Sequence, residues 1–216
     1  MTENGLGRRR QRDIIDRNAV ADEISVALTD SSVSEQRSKA LVVLQAALRE
    51  GREEISRRLI TMPSSGRSSA TDQAFLIDQI IRIAYDFVTT SLFPVANRSA
   101  AEKIAVVAVG GYGRGEMAPH SDVDIAFITP YKRTGWTEQV VEAMLYFLWD
   151  LGLKVGQSSR SIDETIKMAL EDLTIRTALL EGRFVWGDRE VYEEASIRFW
   201  NEVAAKTGAD FVAQKM

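Results

Sequence analysis

Ile104-Ala105-Val106-Val107-Ala108-Val109-Gly110-Gly111, continued by Tyr112-Gly113-Arg114-Gly115-Glu116 and closed by Ser121-Asp122-Val123-Asp124-Ile125-Ala126-Phe127-Ile128, is the stretch that decides the fold. The apolar run over residues 104–109 reads as a buried strand. It ends in a double glycine, where the backbone can turn sharply and approach a ligand closely. After a short loop the pattern becomes strand-like again over 122–128. Residues i and i+2 of a strand share a face, so Asp122 and Asp124 are expected on one side, with Val123 in the core. Two adjacent carboxylates repel unless a cation lies between them, and hard oxygen donors suit Mg2+ carrying the phosphates of a nucleotide. The layout is that of a phosphate cradle followed by a metal site. A solvated strand edge is the simpler reading of alternating charges, but the apolar flank Ile125–Ile128 argues for burial.

The remaining residues of this stretch have two readings each. Gly110 and Gly111 by themselves form a plain tight turn; with Asp122 and Asp124 behind them they are expected to hold backbone N–H groups against a triphosphate. Arg114 is either a surface residue or a fork for phosphate oxygens. Ser121 either caps a turn or contacts the triphosphate or the metal shell. Tyr112 is open between packing and nucleotide contact, Glu116 is expected to be structural, and His120 to be an incidental loop residue.

The string G-G-Y-G-R-G-E followed by S-D-V-D resembles the signature of the polymerase-β-type nucleotidyltransferases. Within them it is most similar to the nucleotidyltransferase domain of the PII-protein uridylyltransferases/uridylyl-removing enzymes. Leu148-Trp149-Asp150-Leu151-Gly152-Leu153-Lys154-Val155-Gly156-Gln157-Ser158 resembles the L-W-D-x-x-L-x-V-G-H-S segment of that family. Glu171-Asp172-Leu173-Thr174 and Leu180-Glu181-Gly182-Arg183 resemble its downstream helices. The likeness covers roughly residues 70–210. It implies an α/β fold, a small mixed sheet with helices, preceded by a helical amino-terminal segment. It also implies metal-dependent transfer of UMP from UTP to a tyrosine hydroxyl of the PII nitrogen-regulatory protein, releasing pyrophosphate. Asp122 and Asp124 would then be the catalytic metal ligands for Mg2+, and Gly110, Gly111, Arg114 and Ser121 the triphosphate contacts. Two other functions fit the same residues: a nucleotidyltransferase with another protein or small-molecule acceptor, and a non-catalytic nucleotide-binding regulatory domain.

One departure bears on turnover. The superfamily often supplies a third carboxylate near Gln157 and Ser158, and the nearby acids Asp150 and Asp163 fall on helices. Where Gln157 stands, the uridylyltransferases usually show histidine.

Composition excludes several other classes. The chain has 216 residues, is 45% hydrophobic and 27% charged, and carries a net charge of −4, which gives no global attraction to nucleic acid. It has no cysteine, so thiolate metal sites and disulfides are excluded, and its lone histidine rules out a multi-histidine zinc site. No apolar run approaches the ~20 residues needed to span a bilayer, and the arginine-rich start lacks the apolar stretch of a secretory signal. A cytoplasmic location is expected.

Residues 1–35 read as a mobile to short-helical arm, with 1–16 mobile and a short helix over 17–29. Residues 36–69 read as a helical segment (a long amphipathic helix over 36–61) ending in the linker Met62–Ser69. Residues 70–216 read as the transferase domain with its carboxy-terminal helices. Thr71 is expected to cap a helix that runs to about Leu92 and buries Phe75, Ile77, Ile80, Ile81, Ile83 and Ala84. A helix over 137–151, a strand over 153–157 and an extended piece at Arg183–Trp186 follow, and the four tryptophans are expected to serve packing. Phe211–Met216 reads as the interior of a helix. Since the family is longer, with a phosphohydrolase domain and ligand-sensing domains, the chain reads as truncated, with no removing activity expected.

Overall fold

The structure is a computed structural model that describes residues 11–95 and 99–206. The arginine-rich residues 1–10 and the expected terminal helix at Phe211–Met216 lie outside them.

Three helices come first: α1 (Arg17–Leu28), α2 (Val33–Thr61) and α3 (Gly66–Phe87). Each boundary has a local cause. Asp16 accepts hydrogen bonds from the N–H groups of Asn18 and Ala19, which caps α1. Ser32 and Glu35 form a capping box at the start of α2. A single turn, Pro63–Ser65, separates α2 from α3. The expected linker Met62–Ser69 is therefore largely helical, and Thr71 lies inside α3, where its hydroxyl donates to the Arg67 carbonyl at 3.2 Å instead of capping. Strand β1 (Ala105–Ala108) leads into a one-turn helix, α4 (Gly110–Gly113), and then β2 (Val123–Thr129). Helix α5 (Gly135–Asp150), β3 (Val155–Ser161), α6 (Ile162–Glu171), α7 (Leu173–Leu180), β4 (Arg183–Gly187) and α8 (Arg189–Arg198) follow, and α8 runs on into a wider π-helical turn, Phe199–Ala204.

The sheet is mixed, with strand order β3-β2-β1-β4. β1 runs antiparallel to β2 and β4, whereas β2 and β3 are parallel. Alternation divides the central strands between two cores. Val106, Ala108, Ile125 and Phe127 pack with α1, α2, α3 and α5. Ala105, Val107, Ala126 and Ile128 pack on the other face with Ile162, Ile166, Val191, Ala195 and Phe199. Burial on both faces explains why these strands are apolar throughout instead of alternating.

Two expectations need correction. Residues 11–16 are not a loose arm: Gln11–Asp13 forms a turn, and Ile14 and Ile15 are buried in the first core. The tryptophans do more than pack in the core: Trp136 donates to the Phe93 carbonyl and Trp186 to the Asp86 carboxylate, while Trp149 and Trp200 are about half exposed and meet Tyr146 and Phe199 edge-on.

Candidate active site

The glycine turn and the aspartates meet at one end of the sheet, where central strand β1 ends and the antiparallel β2 begins. Gly110 adopts φ 59°, a left-handed conformation that a side chain strains. A helical turn that begins at Gly110 leaves its first N–H groups without a carbonyl one turn back. Gly111 is not in that region, and a Cβ added to it would meet nothing closer than the Arg114 guanidinium at 3.5 Å. Of the two glycines, the first is the one the backbone requires.

Asp124 sits against this turn. The backbone N–H of Val109 donates to the Asp124 carbonyl at 3.0 Å, and a Cβ at Gly110 would lie 3.3 Å from its Oδ2. On its other side is Gly156, its register partner on β3, where a Cβ would lie 2.3 Å from Oδ1. Two glycines thus make room for one carboxylate. Burial, and then the charge of Asp122, raise the Asp124 pKa from its ordinary value. Asp122 is exposed just ahead of β2. Ser121 N–H closes a turn onto the Ala118 carbonyl at 3.1 Å immediately before it, and His120 takes φ 62° in the same loop. Among the described residues no third histidine, cysteine or acid joins the pair. A partly buried carboxylate beside an exposed one of the same charge is a donor pair that could hold a divalent metal ion whose other ligands come from outside the chain.

The turn is fixed from behind by a buried network. Tyr112 donates to Asp78 Oδ1 at 2.6 Å, and Arg183 clasps the same carboxylate through Nη1 and Nη2 at 2.7 and 3.0 Å. Arg183 also donates to the carbonyls of Tyr112 at 3.2 Å and Gly113 at 3.3 Å. Burial opposes the charge on Arg183, but the Asp78 contacts outweigh it and raise its pKa. Burial, with the Asp78 charge beside it, pushes the Tyr112 hydroxyl well up, so it remains a donor. Tyr112 is thereby assigned to packing. Gly113 lies so close to α7 that a Cβ would be 2.1 Å from the Glu181 carbonyl. Arg114 is half exposed and pairs with Glu181 at 2.7 Å. Glu116 faces solvent and pairs with Arg67 at 3.3 Å.

A cleft of about 280 Å³ opens beside Gly110 and Asp124. Gly156, Ser158, Arg160 and Thr174 line it, over an apolar wall of Ile175, Ala178 and Leu179. Gln157 pairs in register with Ile125, so its side chain belongs to the opposite face; Gly156 and Ser158 are the β3 residues on the side of Asp124. Asp150 is held by Arg37, and Asp163 pairs with Arg198 at 2.6 Å, so neither supplies a third carboxylate. Asp78, Gly156, Arg160 and Arg183 are the site residues that sequence reasoning did not assign. Gly156 and Arg183 lie in the quoted family-like segments, whereas Asp78 and Arg160 carry no such mark.

Residues 95–185 match the nucleotidyltransferase domain family. The chain is 59% identical over 208 residues to the bifunctional uridylyltransferase/uridylyl-removing enzyme of Novosphingobium aromaticivorans, covering 95% of this chain and 22% of that protein. It is 59% identical over 207 residues to the same-named enzyme of Erythrobacter litoralis, and 49% over 211 residues to that of Rhodospirillum rubrum, each again covering 96% of this chain and 22% of the relative. The chain spans about a fifth of the length of these curated relatives. The glycine turn, the aspartate pair and strands β1 to β3 all lie inside the segment that matches the nucleotidyltransferase domain family.

Proposed function

We propose that this domain transfers UMP from UTP to a tyrosine hydroxyl of a PII-type regulatory protein in the cytoplasm, with Mg2+ held by Asp122 and Asp124. The observation that carries the reaction type is the Asp124 carboxylate seated between Gly110 and Gly156 at the mouth of a cleft that also contains Arg160. The uridylyl group is supported by the names of the relatives, and the PII acceptor by the likeness of the segment Leu148–Ser158.

The protein groups have separable roles. The backbone N–H groups of Gly110 and Gly111 face the triphosphate, with Ser121 closing the loop beside it. Arg160 adds positive charge on the β3 side. Arg114 is within reach of the same turn and exchanges Glu181 for phosphate oxygens. The acceptor oxygen bonds to the α-phosphorus, the bond to the bridging oxygen breaks, and pyrophosphate leaves. The hydroxyl proton passes to solvent, since no third carboxylate faces Asp124 among the described residues. Bound Mg2+ supplies neutralisation of the phosphate charge and a lowered pKa for the acceptor hydroxyl. Catalysis by the chain is then alignment and charge placement.

The test is incubation with each of the four NTPs, Mg2+ and purified PII protein, read by mass spectrometry of the acceptor. A uridylylated tyrosine is expected, absent from Asp122→Asn and Asp124→Asn. Modification by another nucleotide would overturn the choice of UTP. The missing third carboxylate favours a second reading, a regulatory domain that binds nucleotide without turnover. Tight Mg-UTP binding with no product from any acceptor would establish it.

A further inference from the structure

A second, larger cavity of about 540 Å³ lies between α2, α3, the end of α5 and the loop Met117–His120. It shares no lining residue with the nucleotide cleft. Arg49 and Arg52, one turn apart on α2, open into it together with His120. Neither arginine has an ion pair or side-chain hydrogen bond among the described residues. By contrast, Arg58 on the same helix bonds Glu54 at 2.7 Å and Asp72 at 3.3 Å. Among the described residues Glu53 is the single acid that lines the cavity, and it is exposed. Arg52 is half-buried, and burial alone pushes its guanidinium pKa down, as expected for a cation with no anion beside it. The floor is apolar, made by Leu48, Ile55 and Leu59.

We infer that this cavity binds a small organic anion, with a carboxylate or phosphate head on Arg49, Arg52 and His120 and an aliphatic body on Leu48, Ile55 and Leu59. Guanidinium forks suit either head group. Occupancy presses on Pro119 and His120, and His120 stands two residues before Asp122. The bound anion therefore acts on the aspartate pair through the left-handed kink at His120. That coupling rests on the proposed nucleotidyl transfer, whereas the binding itself does not.

Calorimetric titration of the 216-residue chain with hexyl phosphate, hexanoate and inorganic phosphate separates head from body. Hexyl phosphate and hexanoate are expected to bind, and inorganic phosphate at least about tenfold more weakly, because it leaves the apolar floor wet. Arg52→Gln and Arg49→Gln should each weaken hexyl phosphate by about tenfold. Arg49 is exposed, so its variant keeps the fold even if Arg52→Gln does not. The amide resonances of His120 and Asp122 should shift on addition, and Mg-UTP should not compete. Absence of binding by hexyl phosphate and hexanoate would overturn the inference. So would binding undiminished in both variants, or displacement by Mg-UTP. None of these readouts depends on transfer, so they fail independently of the proposed reaction.

Discussion

Replacing Gly156 by alanine adds one methyl group beside the carboxylate that defines the site. The new Cβ would lie 2.3 Å from Asp124 Oδ1 and 3.5 Å from its Cγ. Ordinary non-bonded contact requires about 3.4 Å, so the carboxylate must swing away by roughly 1 Å. Gly156 has an extended backbone with no positive φ, so alanine fits the strand, and it should hold or add roughly 0.5 kcal/mol of stability. Activity and stability are therefore expected to separate. A displacement of about 1 Å at an aligned catalytic group lowers the rate by about 10²-fold, or roughly 2.7 kcal/mol in the barrier. A single-turnover assay of the proposed transfer to PII at saturating Mg-UTP reads that rate, and thermal unfolding reads stability. A variant with near-wild-type turnover would mean that Asp124 need not occupy its observed position, and the site assignment would fail. A variant that loses activity and melts early would refute the claim that the strand accepts alanine.

Gly110→Ala should weaken Mg-UTP binding and lower stability by about 1 kcal/mol, because residue 110 sits at φ 59°. Gly111→Ala should be nearly silent in the same calorimetric and melting assays, which ranks the two glycines. Arg183→Met leaves the Asp78 carboxylate buried without its cation and should destabilise by about 2–3 kcal/mol, read by urea unfolding. Asp78→Asn in the same chain should recover part of that loss, and full additivity of the two variants would dissolve the network. Asp124→Asn should raise the melting temperature of the metal-free protein by about 2 °C at pH 7. The sign follows from the raised pKa: ionisation favours the unfolded chain, so the penalty is fully present above the folded pKa and disappears below the unfolded one. A lower melting temperature for this variant would contradict a strained carboxylate.

Strands β1 and β2 and the turn are legible because each follows from local chemistry: apolar residues on both faces mark a covered strand, and glycine marks the left-handed turn. The strand expected over 122–128 begins one residue later, so Asp122 lies ahead of β2 and the two-residue spacing does not by itself fix a shared face. The strand expected over 153–157 is observed over Val155–Ser161, where a polar sequence carries no apolar signal. The Pro63–Ser65 region misled because serine and glycine were read as a linker, although one turn suffices between two helices that pack on each other. Residues 11–16 misled because their neighbours are polar, while Ile14 and Ile15 are claimed by a core assembled from distant helices. The resemblance puts Gln157 and Ser158 near the site; the parallel register with β2 puts Ser158 on the side of Asp124 together with Gly156, and turns the Gln157 side chain to the other face. Asp78 was invisible for a different reason. It lies within the apolar face of α3, and its role exists only once β4 brings Arg183 across from 105 positions away.

That clasp bears on the order in which the molecule assembles. The residues of the glycine-aspartate signature are contiguous, yet the carbonyls of the turn are held by a side chain that arrives with the last strand of the sheet. Closing so long a loop is slow relative to forming a local turn, so the turn gains its final geometry only after helix and strand have docked. A peptide limited to residues 104–130 would carry the whole signature and lack both Asp78 and Arg183. The matched family segment begins at residue 95 and also omits Asp78. The smallest piece able to hold the site must therefore begin before α3 and continue through β4.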